Sequence, residues 1–455
     1  MLFSELNLPA PLLEGLADVE YVEMTPVQAA SLPTILAGGD VVAQAHTGSG
    51  KTAAFALGLL AALDPGTTTL QGLVLCPTRE LADQVSREIR RLARALPNVK
   101  VLTLCGGIPL RPQLASLSHE PHVVVGTPGR VQELLEKGAL PLKAVKVLVL
   151  DEADRMLDMG FFEVIDTIVR SLPGSRQTLL FSATIPEGVR SISRRLQRRP
   201  LAVTIDDAQA QPQIAQFFFE VEPAQKTAAL CALLLEHRPA SAVVFCNTRQ
   251  QVRSVAAELA ARGFPVLAVH GELEQREREE MLVRFTNHSA TVLIASDVAA
   301  RGLDIAELAM VVNYELATDT DSHLHRIGRT GRAGRSGLAL NLCAASEVPR
   351  ALAIANSQSE AVRWAPVPAL VGRPQPAPFV TLVVDAGRQD KLRPGDLLGA
   401  LTGGAGLPAD AVGRIDVFPT RTYVAIAQGS RAQALAGLRA GKIKGRTFRV
   451  RELVD

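Results

Sequence analysis

Three short stretches carry residues whose types and spacing suit them to chemistry on a nucleoside triphosphate. The first is Ala45-His46-Thr47-Gly48-Ser49-Gly50-Lys51-Thr52, between the apolar run Val41-Val42-Ala43 and the helix-forming Ala53-Ala54-Phe55-Ala56-Leu57. Strand, Gly-rich turn and helix start together make a phosphate cradle. Gly48 and Gly50 let the N–H groups of the Thr47–Ser49 turn point inward, Lys51 can reach the β and γ phosphates, and Thr52 can hold Mg²⁺. The strict pattern has glycine where this chain has Ala45. The second stretch is Asp151-Glu152 at the end of the apolar Val147-Leu148-Val149-Leu150. One carboxylate there can enter a metal shell and the other can position a water. The third, His325-Arg326-Ile327-Gly328-Arg329-Thr330-Gly331-Arg332, interleaves basic groups with glycines that disfavour a regular helix. Arginines such as Arg329 and Arg332, delivered across a cleft, stabilise charge on a transferring phosphoryl group. His325 is grouped with them as a catalytic candidate.

The elements that must position these groups follow from the pattern. From 40 to about 204, apolar runs at 72–76, 99–104, 123–125, 145–150 and 177–181 alternate with amphipathic helical stretches. That alternation predicts a doubly wound α/β domain with a parallel sheet, whose ligands sit outside the carboxyl ends of the strands. A polar stretch, 206–212, reads as a linker. Further runs at 243–246, 266–269, 292–295 and 310–313 predict a second copy of the same architecture without a phosphate loop. Pro366, Pro368, Pro374, Pro376 and Pro378 mark a stiff extended linker. The remainder reads as strand, helix, strand, strand, helix, strand, an α+β order typical of small RNA-recognition sheets. Its third strand, Arg421-Thr422-Tyr423-Val424-Ala425-Ile426-Ala427, carries a single aromatic, so loops and the basic run Lys442, Lys444, Arg446, Arg449 and Arg451 are the better candidates for RNA contact. The expected domains are 1–205, 213–360, a linker at 361–378, and 379–455.

Composition narrows the setting. The chain has 455 residues, 47% of them hydrophobic, enough for several cores. Net charge is +2, but residues 377–455 hold twelve Lys/Arg against seven Asp/Glu, leaving the rest slightly acidic. A basic tail is either a polyphosphate-binding face or a merely solvated one. Cysteines at 76, 105, 231, 246 and 343 form no close pair, so neither a disulfide framework nor a structural metal is expected. No apolar run reaches membrane-spanning length and no leader-like amino terminus is seen, which predicts a cytoplasmic protein with no membrane partner.

Eight segments in order, 21–28, 45–52, 77–81, 127–130, 151–154, 182–184, 296–304 and 325–332, resemble the motifs of the DEAD-box RNA helicases over residues 1 to about 360. That family commonly starts its phosphate loop with alanine. The resemblance implies two tandem RecA-like domains, ATP and Mg²⁺ as cofactors, and unwinding of short duplexes by kinking one strand. It implies that Tyr21 stacks on adenine, Gln28 reads its edge and Asp304 approaches the ribose, with Arg329 and Arg332 as arginine fingers. Ser182 and Thr184 would couple hydrolysis to strand separation. RNA would lie on Pro77, Thr78, Arg79, Gly107, Thr127, Gly129 and Arg130, then on Thr248, Gly271, Gln275, Arg278 and Ser296. This chain has Ser296 where the family usually has threonine. With Arg393-Pro394-Gly395-Asp396-Leu397-Leu398-Gly399-Ala400-Leu401 and Gly441-Lys442-Ile443-Lys444-Gly445 in the tail, the whole chain is similar to a bacterial branch of the family. That branch implies a 23S ribosomal RNA hairpin as target, large-subunit assembly intermediates as partners, and a monomer. An ATP-gated RNA clamp, a general RNA helicase and a DNA helicase remain as rivals.

Overall fold

The computed structural model of the protein describes residues 1–46, 48–205, 214–297, 308–331, 337–358 and 361–453. The chain divides into two compact units, the first ending near residue 211 and the second running to the carboxyl end.

The first unit is built on seven parallel strands: β1 (Val41–Gln44), β2 (Gly72–Leu75), β3 (Val101–Leu104), β4 (Val123–Gly126), β5 (Val147–Asp151), β6 (Gln177–Ser182) and β7 (Leu201–Thr204), ordered β3-β4-β2-β5-β6-β1-β7. Strands β2, β4, β5 and β6 are buried along their whole length, which is why they read as continuous apolar runs rather than alternating ones. Separate hydrophobic clusters cover the two faces, one including Phe55, Val74 and Phe181 and the other Leu73, Leu148 and Met156. Each apolar run in the sequence is a strand here, and β7 completes the edge beside the phosphate-loop strand.

The second unit repeats the plan with β8 (Ile214–Glu220), β9 (Ala242–Cys246), β10 (Val266–Val269), β11 (Val292–Ser296), β12 (Met310–Asn313) and β13 (Gly337–Cys343), ordered β10-β11-β9-β12-β13-β8 and parallel throughout. The sequence pattern did not single out β8 and β13, whose polar Gln216 and Asn341 interrupt the apolar signal. Both polar side chains are buried and bonded: Gln216 meets His323, and Asn341 Nδ2 donates to the Phe217 carbonyl while its Oδ1 accepts from Asn313. The Pro-rich stretch is less of a spacer than its composition suggests. Phe218 on the edge strand β8 donates to the Arg363 carbonyl and accepts from Ala365 N, and Trp364 packs tilted against Phe218 with ring centroids 5.8 Å apart. Ala365 and Val367 pack into the second core.

The tail has the expected βαββαβ order: β14 (Phe379–Val384), a helix at Pro394–Gly399, β15 (Val412–Val417), β16 (Thr422–Ala427), a helix at Arg431–Ala440 and β17 (Val450–Glu452), in an antiparallel sheet ordered β15-β16-β14-β17. The last strand covers only Val450–Glu452, leaving most of 441–449 as loop. One sheet face packs on the tail's own helices through Leu382, Val424 and Ile426. The other meets the Gln275–Thr286 helix of the second sheet: Val283 joins Val383, Tyr423 and Leu453 in one cluster. Glu280 accepts from Arg421 and from the Tyr423 hydroxyl, and Asn287 Nδ2 donates to Thr381 Oγ1 at 2.9 Å.

Candidate functional site

The phosphate loop leaves β1 and enters the Lys51–Ala61 helix. Gly50 has φ +92°, and a Cβ there would stand 2.5 Å from Gln28 Nε2, so both conformation and space require glycine. Lys51 is buried and donates to the Ala45 carbonyl at 2.6 Å, folding its charge into the cradle, and Ser49 Oγ donates to the His46 carbonyl. Gln28 is tied to this loop: Nε2 donates to the Gly50 carbonyl at 3.0 Å and Oε1 accepts from Thr25 N. The acceptor expected to read adenine is thus engaged in capping a helix, and one N–H remains. Tyr21 is half-buried, its hydroxyl donating to Glu88 Oε1. Burial, with the Glu88 charge beside it, pushes the phenol pKa up. Thr47 lies outside the described residues, as do Asp304 and Arg332.

Asp151 ends β5, and Ser182 ends β6, which lies between β5 and β1. The carboxylate pair is therefore one strand removed from the phosphate loop rather than on the adjacent strand. Asp151 is buried. Loss of water pushes its pKa up to about 7 against the pull of Lys51. Such a carboxylate, with the half-buried Thr52 hydroxyl at the helix start, is an all-oxygen donor set of the kind Mg²⁺ takes, and the cation's charge would offset the cost of burial. Glu152 stands in the left-handed region at φ +52° with its Oε2 3.3 Å from Arg155 Nη1, both side chains buried.

Asp154, in the 151–154 segment, joins two motifs. Its Oδ2 accepts from both Thr184 N and Thr184 Oγ1 at 2.9 Å, and its N–H donates to Ser182 Oγ at 3.1 Å. Ser182 and Thr184 thus touch the Asp151–Asp154 segment directly.

The first unit's RNA candidates gather on the other half of the same carboxyl edge, after β2, β4 and β3, which are neighbours. Pro77 is buried, and Thr78 caps the Arg79–Leu92 helix by accepting from Leu81 N. Gly107 has φ +69°, and a Cβ there would land on the Arg79 guanidinium. Thr127 Oγ1 accepts from Gly106 N, and Gly129 faces open space. Arg130 is tied inward. It is 8% exposed, donates to the Ile108 carbonyl at 3.0 Å and pairs with Glu133 at 3.0 Å.

In the second unit Thr248 caps the Arg249–Ala261 helix after β9, Gly271 follows β10 with open space around it, Ser296 is the buried last residue of β11, and Gln275 and Arg278 lie on the Gln275–Thr286 helix. Strands β10, β11 and β9 are adjacent, so the loops and helix starts that follow them share one edge. His325 is half-exposed and Arg329 is buried. The residue that organises this edge is Arg326. It is 2% exposed, bonds both oxygens of Asp297 at 2.6 Å, and donates to Asn313 Oδ1, the Glu315 carbonyl and Asn247 Oδ1. Its place in the basic motif marked it, but its role as a buried tie did not show in the sequence.

In the tail, Lys442, Lys444 and Arg446 are exposed on the 441–449 loop. Lys444 Nζ donates to the Lys391 carbonyl, and Arg446 lies over Phe448 and 3.7 Å from Asp390. Tyr423 is only 4% exposed and packs edge-on to Phe418, so it offers no stacking surface. All five cysteines are buried free thiols. Among the described residues no helix is long and apolar enough to cross a membrane.

Three family models match the chain: DEAD/DEAH box helicase over residues 25–192, helicase conserved C-terminal domain over 225–334, and DbpA RNA binding domain over 381–452. The chain is 54% identical over 453 residues to the ATP-dependent RNA helicase DbpA of Escherichia coli (strain K12), covering 99% of each protein. It is 41% identical to the DEAD-box ATP-dependent RNA helicase CshA of Geobacillus kaustophilus, over 76% of this chain and 74% of that one. Among solved structures it resembles Saccharomyces cerevisiae Dbp5 bound to RNA and ADP BeF3, with a TM-score of 0.73 at 29% identity over 80% of this chain and 95% of that one. With the phosphate loop, the Asp151–Asp154 segment and the basic 325–332 segment in the order these matches require, the chain belongs to the DEAD-box ATP-dependent RNA helicases and carries an RNA-binding domain of the DbpA type.

Proposed function

We propose that this helicase unwinds short RNA duplexes on a large-subunit assembly intermediate, addressed there by its tail to a hairpin of 23S ribosomal RNA. The observation that carries the reading is whole-length similarity to the E. coli protein together with the RNA-binding tail. The cellular setting proposed is the cytoplasm, with the chain acting as a monomer.

In this reading Lys51 and the backbone around Gly48 and Gly50 hold the β and γ phosphates, Tyr21 stacks on the base, and the remaining Gln28 N–H meets the adenine edge. Thr52 and Asp151 are the residues that would hold Mg²⁺, which neutralises phosphate charge when bound. Glu152 orients the attacking water, and Arg329 and Arg332 supply positive charge to the phosphoryl group in transfer. The Thr184–Asp154 hydrogen bonds give the segment that senses hydrolysis a direct hold on the Ser182–Thr184 turn. Backbone-directed RNA contacts on both units bind without reading sequence, so selectivity falls to the tail. With its outer sheet face covered by the Gln275–Thr286 helix, the tail is proposed to bind through the 441–449 loop.

The test is ATPase rate against RNA concentration, using a 23S ribosomal RNA fragment and an unrelated RNA of equal length. It compares the full chain with one ending at Val371, which keeps Trp364, Ala365 and Val367 in the second core. Activation by the ribosomal fragment at far lower concentration, only with the tail, supports the proposal. Equal activation by both RNAs with or without the tail would leave a general RNA helicase. ATP-dependent binding of a duplex without strand release would leave a clamp.

A further inference from the structure

We propose that Glu88 and Arg91 are positioning residues for the nucleotide base, fixing the orientation of the Tyr21 ring on which the base stacks. The inference rests on the assignment of Tyr21 to adenine. Its own support is the geometry of the Arg79–Leu92 helix, which packs against the Lys51–Ala61 helix of the phosphate loop.

A tyrosine ring has two side-chain torsions, and this one is fixed at three places. Its Cβ is set by a backbone whose N–H donates to the Leu16 carbonyl. Its hydroxyl donates to Glu88 Oε1 at 3.1 Å, and the Arg91 guanidinium lies over the ring, 5.5 Å from its centroid. Arg91 is itself held, donating to the Val19 carbonyl at 3.4 Å and lying 3.6 Å from Glu88 Oε2. Glu88 and Arg91 are three residues apart on one helix face, yet their shared partner lies 67 residues from Glu88 in sequence. That separates them from an ordinary surface ion pair. The Glu88 side chain is only 18% exposed. The cation lies over the ring, which packs against the first unit's core and stays half-buried. A ring already ordered loses less freedom when the base arrives, so the arrangement tightens base binding without touching the phosphates.

The experiment compares the full chain with Arg91→Ala, Arg91→Lys, Tyr21→Phe and Tyr21→Ala. It measures ADP affinity at equilibrium and inhibition of the ATPase by inorganic triphosphate, which has no base. Loss of the cation over the ring weakens ADP about two- to fivefold in Arg91→Ala. Loss of the Glu88 tie in Tyr21→Phe has a similar effect, and Arg91→Lys restores most of the affinity by keeping a cation over the ring. Triphosphate inhibition stays at the wild-type value, and the change in turnover appears in KM for ATP rather than in kcat. Unchanged ADP affinity in Arg91→Ala, with weakened affinity in Tyr21→Ala, overturns the positioning role. So does an equal loss for ADP and triphosphate, which indicates general damage to the site. Wild-type ADP affinity in Tyr21→Ala removes instead the stacking assignment on which the inference rests.

Discussion

Replacing Arg326 with alanine should make the second unit unfold far more readily. The guanidinium is buried over Phe245 with 5.2 Å from its carbon to the ring centroid, grips Asp297 with two bonds of 2.6 Å, and reaches Asn247, Asn313 and the Glu315 carbonyl. These partners follow β9, β11 and β12 or end them, so one side chain closes three adjacent strand ends. Removing one member of a buried, hydrogen-bonded ion pair costs about 3–5 kcal/mol because its partner is left without compensation. That is a large part of the roughly 5–15 kcal/mol that keeps a domain folded. Trp364, the only tryptophan, packs against Phe218 of this unit and reports its unfolding by fluorescence. With a urea slope of about 3 kcal/mol per molar, the midpoint should fall by about 1–1.7 M. Arg326→Lys should recover little of it, since an ammonium cannot span Asp297, Asn247 and Asn313 together. A midpoint shift under about 0.3 M at unchanged slope would refute the account of Arg326 as the tie of this edge.

Gly107→Ala forces a β-carbon into a left-handed position at a cost of about 1–2 kcal/mol, and that carbon meets the Arg79 guanidinium. The RNA concentration for half-maximal ATPase should rise several-fold while ATPase without RNA is unchanged, as an RNA titration would show. The Asp151 carboxyl has a folded pKa of about 7 against an ordinary 3.8. The folded protein therefore binds a proton that the unfolded chain has released across that window, and stability from this group is lost as pH rises through about 7. Without nucleotide or metal, thermal unfolding of the wild type should occur at a higher temperature near pH 6 than near pH 8 by more than in Asp151→Asn. Equal pH dependence in the two proteins would argue against it.

Local chemistry was the most legible part of the chain. A phosphate loop is eight consecutive residues, and the apolar β5 running into Asp151 is a strand end by inspection, so both could be read without tertiary information. What escaped were ties between residues far apart in sequence. Asp154 looked like one more acidic residue until Thr184, thirty positions on, donated two hydrogen bonds to it. The Pro-rich stretch read as a free spacer because composition reports stiffness and not partners. The edge strand β8 has backbone groups to satisfy, and Arg363 and Ala365 meet those of Phe218. Arg130 was placed only by the motif, and its buried setting needs tertiary information: residues 128–136 are helical and carry it inward to the Ile108 carbonyl.

The single aromatic on the third tail strand has a physical explanation in the docking of the two halves of the second unit. A sheet face that stacked bases would need exposed rings, and exposed rings on a sheet are costly unless something covers them. Here the cover is built in. Tyr423 and Val383 lie under Val283 of the Gln275–Thr286 helix, while the Tyr423 hydroxyl and Arg421 both turn to Glu280. The same helix carries Gln275 and Arg278, so the helix that covers the tail's sheet also holds candidate RNA residues of the second core domain. With that face taken, the tail's remaining charged surface includes the loop bearing Lys442, Lys444 and Arg446. Phosphate-directed lysines on a loop give affinity that falls steeply with salt and carries little base information. If the tail selects the hairpin proposed above, that selectivity must come from the shape of the RNA that the Ile443–Arg446 turn, closed by two backbone hydrogen bonds, can enter, rather than from bases stacked on the sheet.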